Sequence, residues 1–214
     1  MTIKLYLLFA LALTIGYGFG RYHARYRTSN FQNSGEALVS RAIESNFNTP
    51  DYHLLNHITL TLEDGTTQID HILVSRFGVF VIETKNYSGW IFANAKQATW
   101  TQVLFHKKFK FQNPIFQNMR HVNAVKNTLD FLQPNHIKSL VVFTGDAKFK
   151  TDVSTEVFTV SKLVKYLRSQ NDEVMSLNRM QFCVGRLETA RLAISGETDL
   201  AHVKSLQSRH GAKN

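Results

Sequence analysis

Apolar positions between residues 52 and 86 fall in short runs rather than at helical spacing, and two of these runs stand out. Gln68-Ile-Asp-His-Ile-Leu-Val-Ser75 is followed at once by Gly78-Val-Phe-Val-Ile-Glu-Thr-Lys-Asn86, which reads as two apolar strands joined by a tight turn. Side chains alternate along a strand, so Glu83 and Lys85 share a face with Val81. If Ser75 and Gly78 close the hairpin around two or four residues, Asp70 falls opposite Glu83 on that face. A three-residue loop sends the two to opposite faces. Around this hairpin the pattern predicts a helix over 34–47, a strand over 52–61 and a turn at Glu63-Asp64-Gly65. It continues with short antiparallel strands over 88–110, a helix over 115–131 ended by Pro134, and a two-sided buried strand over 139–144. A short strand over 157–160, a helix from a Ser161 cap to about 169 and a helical tail from Phe182 follow. The expected fold is α/β, an αβββαβ core with a central mixed sheet flanked by helices.

The charges on the hairpin change the picture. Buried acids among Ile, Leu and Val are costly without a cation or a metal, and carboxylates with Cβ atoms roughly 5 Å apart repel unless a divalent ion or a proton intervenes. Hard oxygen ligands such as Asp70 and Glu83 suit Mg²⁺ or Mn²⁺, with the Ile69 and Thr84 carbonyls as further donors. Lys85 is placed to orient a nucleophile or stabilise a phosphoryl transition state. The plain alternative is a surface Glu-Lys pair with Asp70 as a turn residue. Glu36 lies three residues after Asn33, so it suits a capping box or, one turn before Val39 and Ile43, a place facing the sheet. His71 faces away from Asp70 and reads as packing. Gln117 shares a helical face with His121 and Val125.

Taken together, Gly35-Glu36, Gln68-Ile69-Asp70-His71, the run Gly78 to Asn86, Gly89, Trp100, Asn113-Pro114, Gln117-Asn118 and His121 resemble the nuclease-related (NERD) domain, over roughly residues 33–145. That family is a branch of the PD-(D/E)xK, restriction-endonuclease-like superfamily. The resemblance implies a metal-dependent nuclease centre of Asp70, Glu83 and Lys85, assisted by Glu36 on the preceding helix and Gln117 on the following one. It implies that Asp70 and Glu83 bind the metal, and that Gln117 positions the lysine or the nucleic acid.

Cysteine and histidine usage narrows the chemistry. The one cysteine, Cys183, excludes an internal disulfide or a zinc ribbon. The nine histidines make no zinc-ligand spacing with it, so no zinc is expected.

Charge and the N-terminus add location and partner. In a chain of 214 residues with a formal net charge of +9, part of the excess lies in His106-Lys107-Lys108-Phe109-Lys110-Phe111. On a hairpin, Phe109 and Phe111 face the core while Lys108 and Lys110 reach phosphates. Lys107, Lys108, Lys110 and His121 are the expected nucleic-acid contacts, DNA being the expected partner, although nothing in the residues separates it from RNA. Leu5 to Gly20 carry no charge. Sixteen helical residues extend about 24 Å, and residues 3–20 with a snorkelling Lys4 approach a membrane thickness. The collar Arg21, His23, Arg25 and Arg27 favours the cytoplasmic side. The rival is a signal peptide, cleaved on secretion.

The organisation expected is an N-terminal transmembrane anchor over 1–27, a linker over 28–34, a nuclease-like domain over 35–170 and a helical extension over 171–214. The function expected is metal-dependent hydrolysis of DNA phosphodiester bonds at the cytoplasmic membrane. The alternative on the same residues is a nucleic-acid-binding or interaction module that does not cleave.

Overall fold

The computed structural model describes residues 33–192. Helix α1 (Ser34–Asn46) buries Val39 and Ile43. Strands β1 (Tyr52–Leu62), β2 (Gly65–Ser75) and β3 (Gly78–Lys85) then form an antiparallel meander. Strands β4 (Gly89–Phe92), β5 (Thr99–Leu104) and β6 (Lys107–Gln112) lead into helix α2 (Pro114–Thr128). Strands β7 (Ile137–Phe143), β8 (Ala147–Phe149) and β9 (Val157–Thr159) are followed by helices α3 (Val160–Arg168) and α4 (Leu177–Ala190).

Two sheets result. The first has the order β1-β2-β3-β7-β9, with β7 parallel to both β3 and β9, and the second has the order β6-β5-β4-β8. The mixed α/β architecture with helices on both faces agrees with the sequence pattern. In β3, Val79 and Val81 enter a core with Val122 and Val125 of α2 and Met180, Cys183 and Leu187 of α4. Phe80 and Ile82 enter a second core with Val39 and Ile43 of α1 and Leu163 and Leu167 of α3. Coverage of both faces is why β3 and β7 read as unbroken apolar runs. Helix α4 closes the first core, so packing extends past residue 170. The membrane-anchor expectation lies outside the described residues; among the described ones, no helix is long and apolar enough to cross a membrane.

The hairpin register is the two-residue case, since Ser75 pairs with Gly78 and His71 with Ile82. Gly78 has φ 140°, a conformation that side chains resist, and an added Cβ would stand 3.1 Å from the His136 carbonyl oxygen. The ladder stops at His71–Ile82, one pair short of Asp70–Glu83. Asp70 instead turns its carboxylate onto the Thr84 N–H, at 2.7 Å. The cause lies in β1, where His57 has φ 56° between the pairs Asn56–His71 and Ile58–Ile69. Alternation changes phase there: Leu55 and Ile58, and Ile69 and Ile72, each three apart, enter the same core.

Other departures from the sequence reading have local causes. The α3 cap is Thr159, whose hydroxyl accepts from Lys162 N–H, because the chain is still extended at Thr159. Helix α2 stops at Thr128, and Pro134 opens a short 3₁₀ turn rather than ending the helix. Three-residue β8 gives no periodic signal. Phe111 packs beside Trp100 and Tyr87, but Phe109 is 48% exposed at the end of its sheet, not in the core. Where the two sheets meet, a Cβ on Gly145 would lie 2.1 Å from the Tyr87 carbonyl oxygen, so the links 86–88 and 144–146 touch backbone to backbone.

Two buried polar side chains yield predictions. Asn118 Nδ2 donates to Val81 O at 2.9 Å, Ser139 Oγ at 2.9 Å and Leu140 O at 3.1 Å, clamping β3 to β7. Asn118→Leu removes all three bonds between the helix and the two strands, and urea unfolding should lose about 2–3 kcal/mol. His71, fully buried, has Nδ1 2.8 Å from Asn56 Oδ1, and burial pushes its pKa down to about 3. The unfolded imidazole titrates near 6.5, so its contribution is complete above that pH and is lost as pH falls toward 3. The stability of wild type should fall more steeply below pH 6.5 than that of His71→Gln, by about 1.4 kcal/mol per pH unit.

Candidate active site

The site stands where β3 ends. Glu83, 2% exposed, projects toward α2 with both carboxylate oxygens engaged. Lys85 Nζ donates to its Oε1 at 2.6 Å, and His121 Nε2 donates to its Oε2 at 2.9 Å. A carboxylate only accepts, so Nε2 carries a proton, and on the other side of the ring Nδ1 and Thr67 Oγ1 are hydrogen-bonded at 2.7 Å. Lys85 Nζ also donates to Gln117 Oε1 at 3.0 Å. Thus strand β2, strand β3 and one face of α2 meet on a single carboxylate.

Helix α2 presents these partners for local reasons. Asn113 Oδ1 accepts from Ile115 N–H, capping the helix, and Pro114 opens its first turn. The Asn113 amide also donates to Gln97 O at 2.8 Å, tying the helix start to the β4–β5 loop. Gln117 and His121 then fall one turn apart on the face toward β3.

Electrostatics set the three acids apart. Burial alone would push the Glu83 carboxyl up, but the His121 hydrogen bond and the Lys85 ammonium outweigh it and hold the pKa below the usual range. Burial would likewise deprotonate Lys85, and the Glu83 carboxylate reverses that, keeping the ammonium charged. Asp70 goes the other way. Burial first, then the carboxylates of Glu83 and Glu36, push its pKa well above the ordinary value, and the Thr84 N–H and Lys85 offset this only in part. Three acids and one lysine therefore gather around one strand end, and the acids differ in how readily each gives up its proton.

All five expected centre residues lie in this neighbourhood. Glu83, Lys85 and Gln117 are linked through the bonds above, Asp70 accepts from the Thr84 N–H between Glu83 and Lys85 and feels the charge of both, and Glu36, buried in the first turn of α1, acts on Asp70 through charge. His121 corrects the reading as a phosphate contact: it is 3% exposed, and both ring nitrogens are turned to Thr67 and Glu83. Lys107, Lys108 and Lys110 are exposed on β6, in the second sheet. Thr67 is absent from the sequence reading, and Asn118 stands there only as part of the Gln117-Asn118 pair, without a role, since polar residues at a strand start and inside a helix show their partners only once α2 is docked.

Among the described residues, no three His, Cys, Asp or Glu side chains form a ready-made metal cage. Asp70 and Glu83 are the pair that could hold a divalent ion. Their hard oxygens fit Mg²⁺, which takes one or two carboxylates and keeps several waters.

An acid-and-lysine centre at the end of a central strand, backed by a helix carrying its partners, belongs to a nuclease-related class. Residues 32–144, more than half of the chain, match the family model of the nuclease-related domain. An uncharacterized protein of Bacillus anthracis is 34% identical over 181 residues, which cover 82% of this chain and 84% of that one. The chain belongs to the nuclease-related domain family.

The Thr67–His121–Glu83 relay can be tested without any substrate. Thr67→Val keeps the shape and removes the hydroxyl, so thermal or urea unfolding should show a loss of about 1–3 kcal/mol, with Thr67→Ser close to wild type.

Proposed function

We propose that this protein is a Mg²⁺- or Mn²⁺-dependent nuclease that hydrolyses DNA phosphodiester bonds. The observation that carries this reading is the crowding of Asp70 by Glu83 and Glu36 next to a lysine held charged. A structural ion pair needs one acid, not three. The αβββαβ order of α1, β1–β3, α2 and β7 supports placing the domain with restriction-endonuclease-like folds.

Asp70 and Glu83 would hold the metal. When bound, the ion lowers the pKa of a coordinated water and neutralises charge on the phosphoryl oxygens. The remaining work falls to the chain. Lys85 spends two of its three N–H donors on Glu83 and Gln117, and the third can meet a phosphoryl oxygen or orient the attacking water. Gln117 fixes the ammonium, His121 and Thr67 fix the Glu83 carboxylate, and Glu36 keeps the local field negative enough to favour a cation at Asp70.

One observation favours a second reading, a binding module that does not cleave: both Glu83 oxygens are already engaged. The full chain in detergent should cut DNA with Mg²⁺ or Mn²⁺ and stop on addition of chelator. Asp70→Asn, Glu83→Gln and Lys85→Met should each lower the rate at least about a hundredfold. Full activity in any of them rejects the nuclease mechanism, and DNA binding with no turnover under either ion favours the module.

The location rests on the uncharged stretch Leu5 to Gly20 and the basic collar after it, which support a single-pass anchor with the catalytic domain in the cytoplasm. Carbonate-washed membranes should retain the protein. Recovery of a shortened chain outside the cell would favour secretion.

A further inference from the structure

The outer face of the second sheet is absorbed by neither the core nor the acid-and-lysine centre. Strand pairing places Trp90 beside Val103 and Val103 beside Lys108, and Phe92 beside Thr101 and Thr101 beside Lys110. On the other flank Trp90 lies beside Lys148, and the Lys150 ammonium sits 4.4 Å from the centre of the Trp90 ring. Trp90 is 49% exposed and Phe92 40% exposed, while Ile91 between them is fully buried. No acidic residue occurs anywhere between Glu83 and Asp130, so strands β4 to β6 contribute only positive charge.

We propose that this face is a binding track for single-stranded nucleic acid, with bases stacking on Trp90 and Phe92 and phosphates meeting Lys108, Lys110, Lys148 and Lys150. Residues two apart on a strand are separated by about 6.8 Å, a spacing that lets neighbouring unstacked bases each find a ring. Lysines on both flanking strands supply the cationic borders that such a site requires. The Lys150–Trp90 contact is an exposed cation–π pair, which is weak; a base takes the ring and the ammonium moves to a phosphate.

Duplex fits poorly, because its bases are stacked on one another and offer no free face to the rings. An anionic lipid surface would also meet aromatics and lysines, but the neighbouring outer positions are Thr101 and Val103 rather than long aliphatic side chains. The track also has an address. Only residues 86–88 separate Lys85 from β4, at most about 14 Å of chain from Lys85 to Gly89.

This deepens the nuclease reading by naming its substrate class, and rests on that reading only for what happens after binding. The full chain, reconstituted in phosphatidylcholine nanodiscs with chelator present, is titrated with labelled oligothymidylate and oligouridylate of about 20 nucleotides, longer than one such site, and with a duplex of equal length. The single strands should bind at least about tenfold tighter than duplex. Trp90→Ala with Phe92→Ala should weaken them at least about tenfold, with an unchanged melting temperature. Of the two tryptophans, Trp100 is buried, so quenching on binding should vanish in Trp90→Phe while affinity stays. Lys108→Ala and Lys148→Ala should each flatten the salt dependence by roughly 0.7 in log–log slope. Equal binding of duplex, or aromatic variants that bind like wild type, overturns the proposal. So does a Trp90 emission shift in discs of equimolar phosphatidylcholine and phosphatidylserine without oligonucleotide, which assigns the face to lipid. Tight, ring-dependent binding with no cleavage in the metal assay supports the track and sinks the nuclease reading alone.

Discussion

A single buried carboxylate organises this domain. Glu83 is removed from water, so its charge survives only because Lys85 and His121 each donate to it. Those donors come from different places: Lys85 from the same strand, His121 from α2, and behind His121 the hydroxyl of Thr67 from β2. Satisfying Glu83 therefore fixes how helix and strands are docked. Asn118, one residue after Gln117, locks the same helix onto β3 and β7 from below. Fold and centre share one set of contacts.

Asp70 experiences the opposite environment a short distance away. It has one backbone N–H and a more distant lysine, against two carboxylates and burial. The two acids on one hairpin are thus set apart in proton affinity, one held ionised by its two donors and the other pushed toward its protonated form by burial and neighbouring carboxylates. The difference arises from backbone geometry. The strand changes phase at His57 and Asp70, which lifts Asp70 out of the regular ladder and turns its carboxylate onto Thr84.

Much of this was readable in advance. Ser75 and Gly78 marked the turn, period-two alternation put Glu83 beside Lys85, and the order of helices and strands gave the layered α/β arrangement. Register stayed open between loop lengths in the sequence and is settled by the Ser75–Gly78 pair, with Gly78 taking a backbone angle that side chains resist. The phase change was not readable: a His in left-handed conformation has no sequence signature, and with it Asp70 leaves the ladder pairing with Glu83 expected of it. The role of His121 was hidden for a related reason. Helical spacing showed that it faces inward with Gln117, but not that a threonine 54 residues earlier would meet its far nitrogen. The outer face of the second sheet was half legible. Lys108 and Lys110 stood out as a run, whereas Lys148 and Lys150 joined them only through β8, a strand too short to announce itself.

Gly145 has a mechanical meaning beyond its lack of a side chain. Where it crosses Tyr87, main chain rests on main chain, with no rotamer between them to yield. The two links joining the sheets therefore lie as close as backbone allows, and any side chain at position 145 would have to part them, separating the strand ends that each link holds.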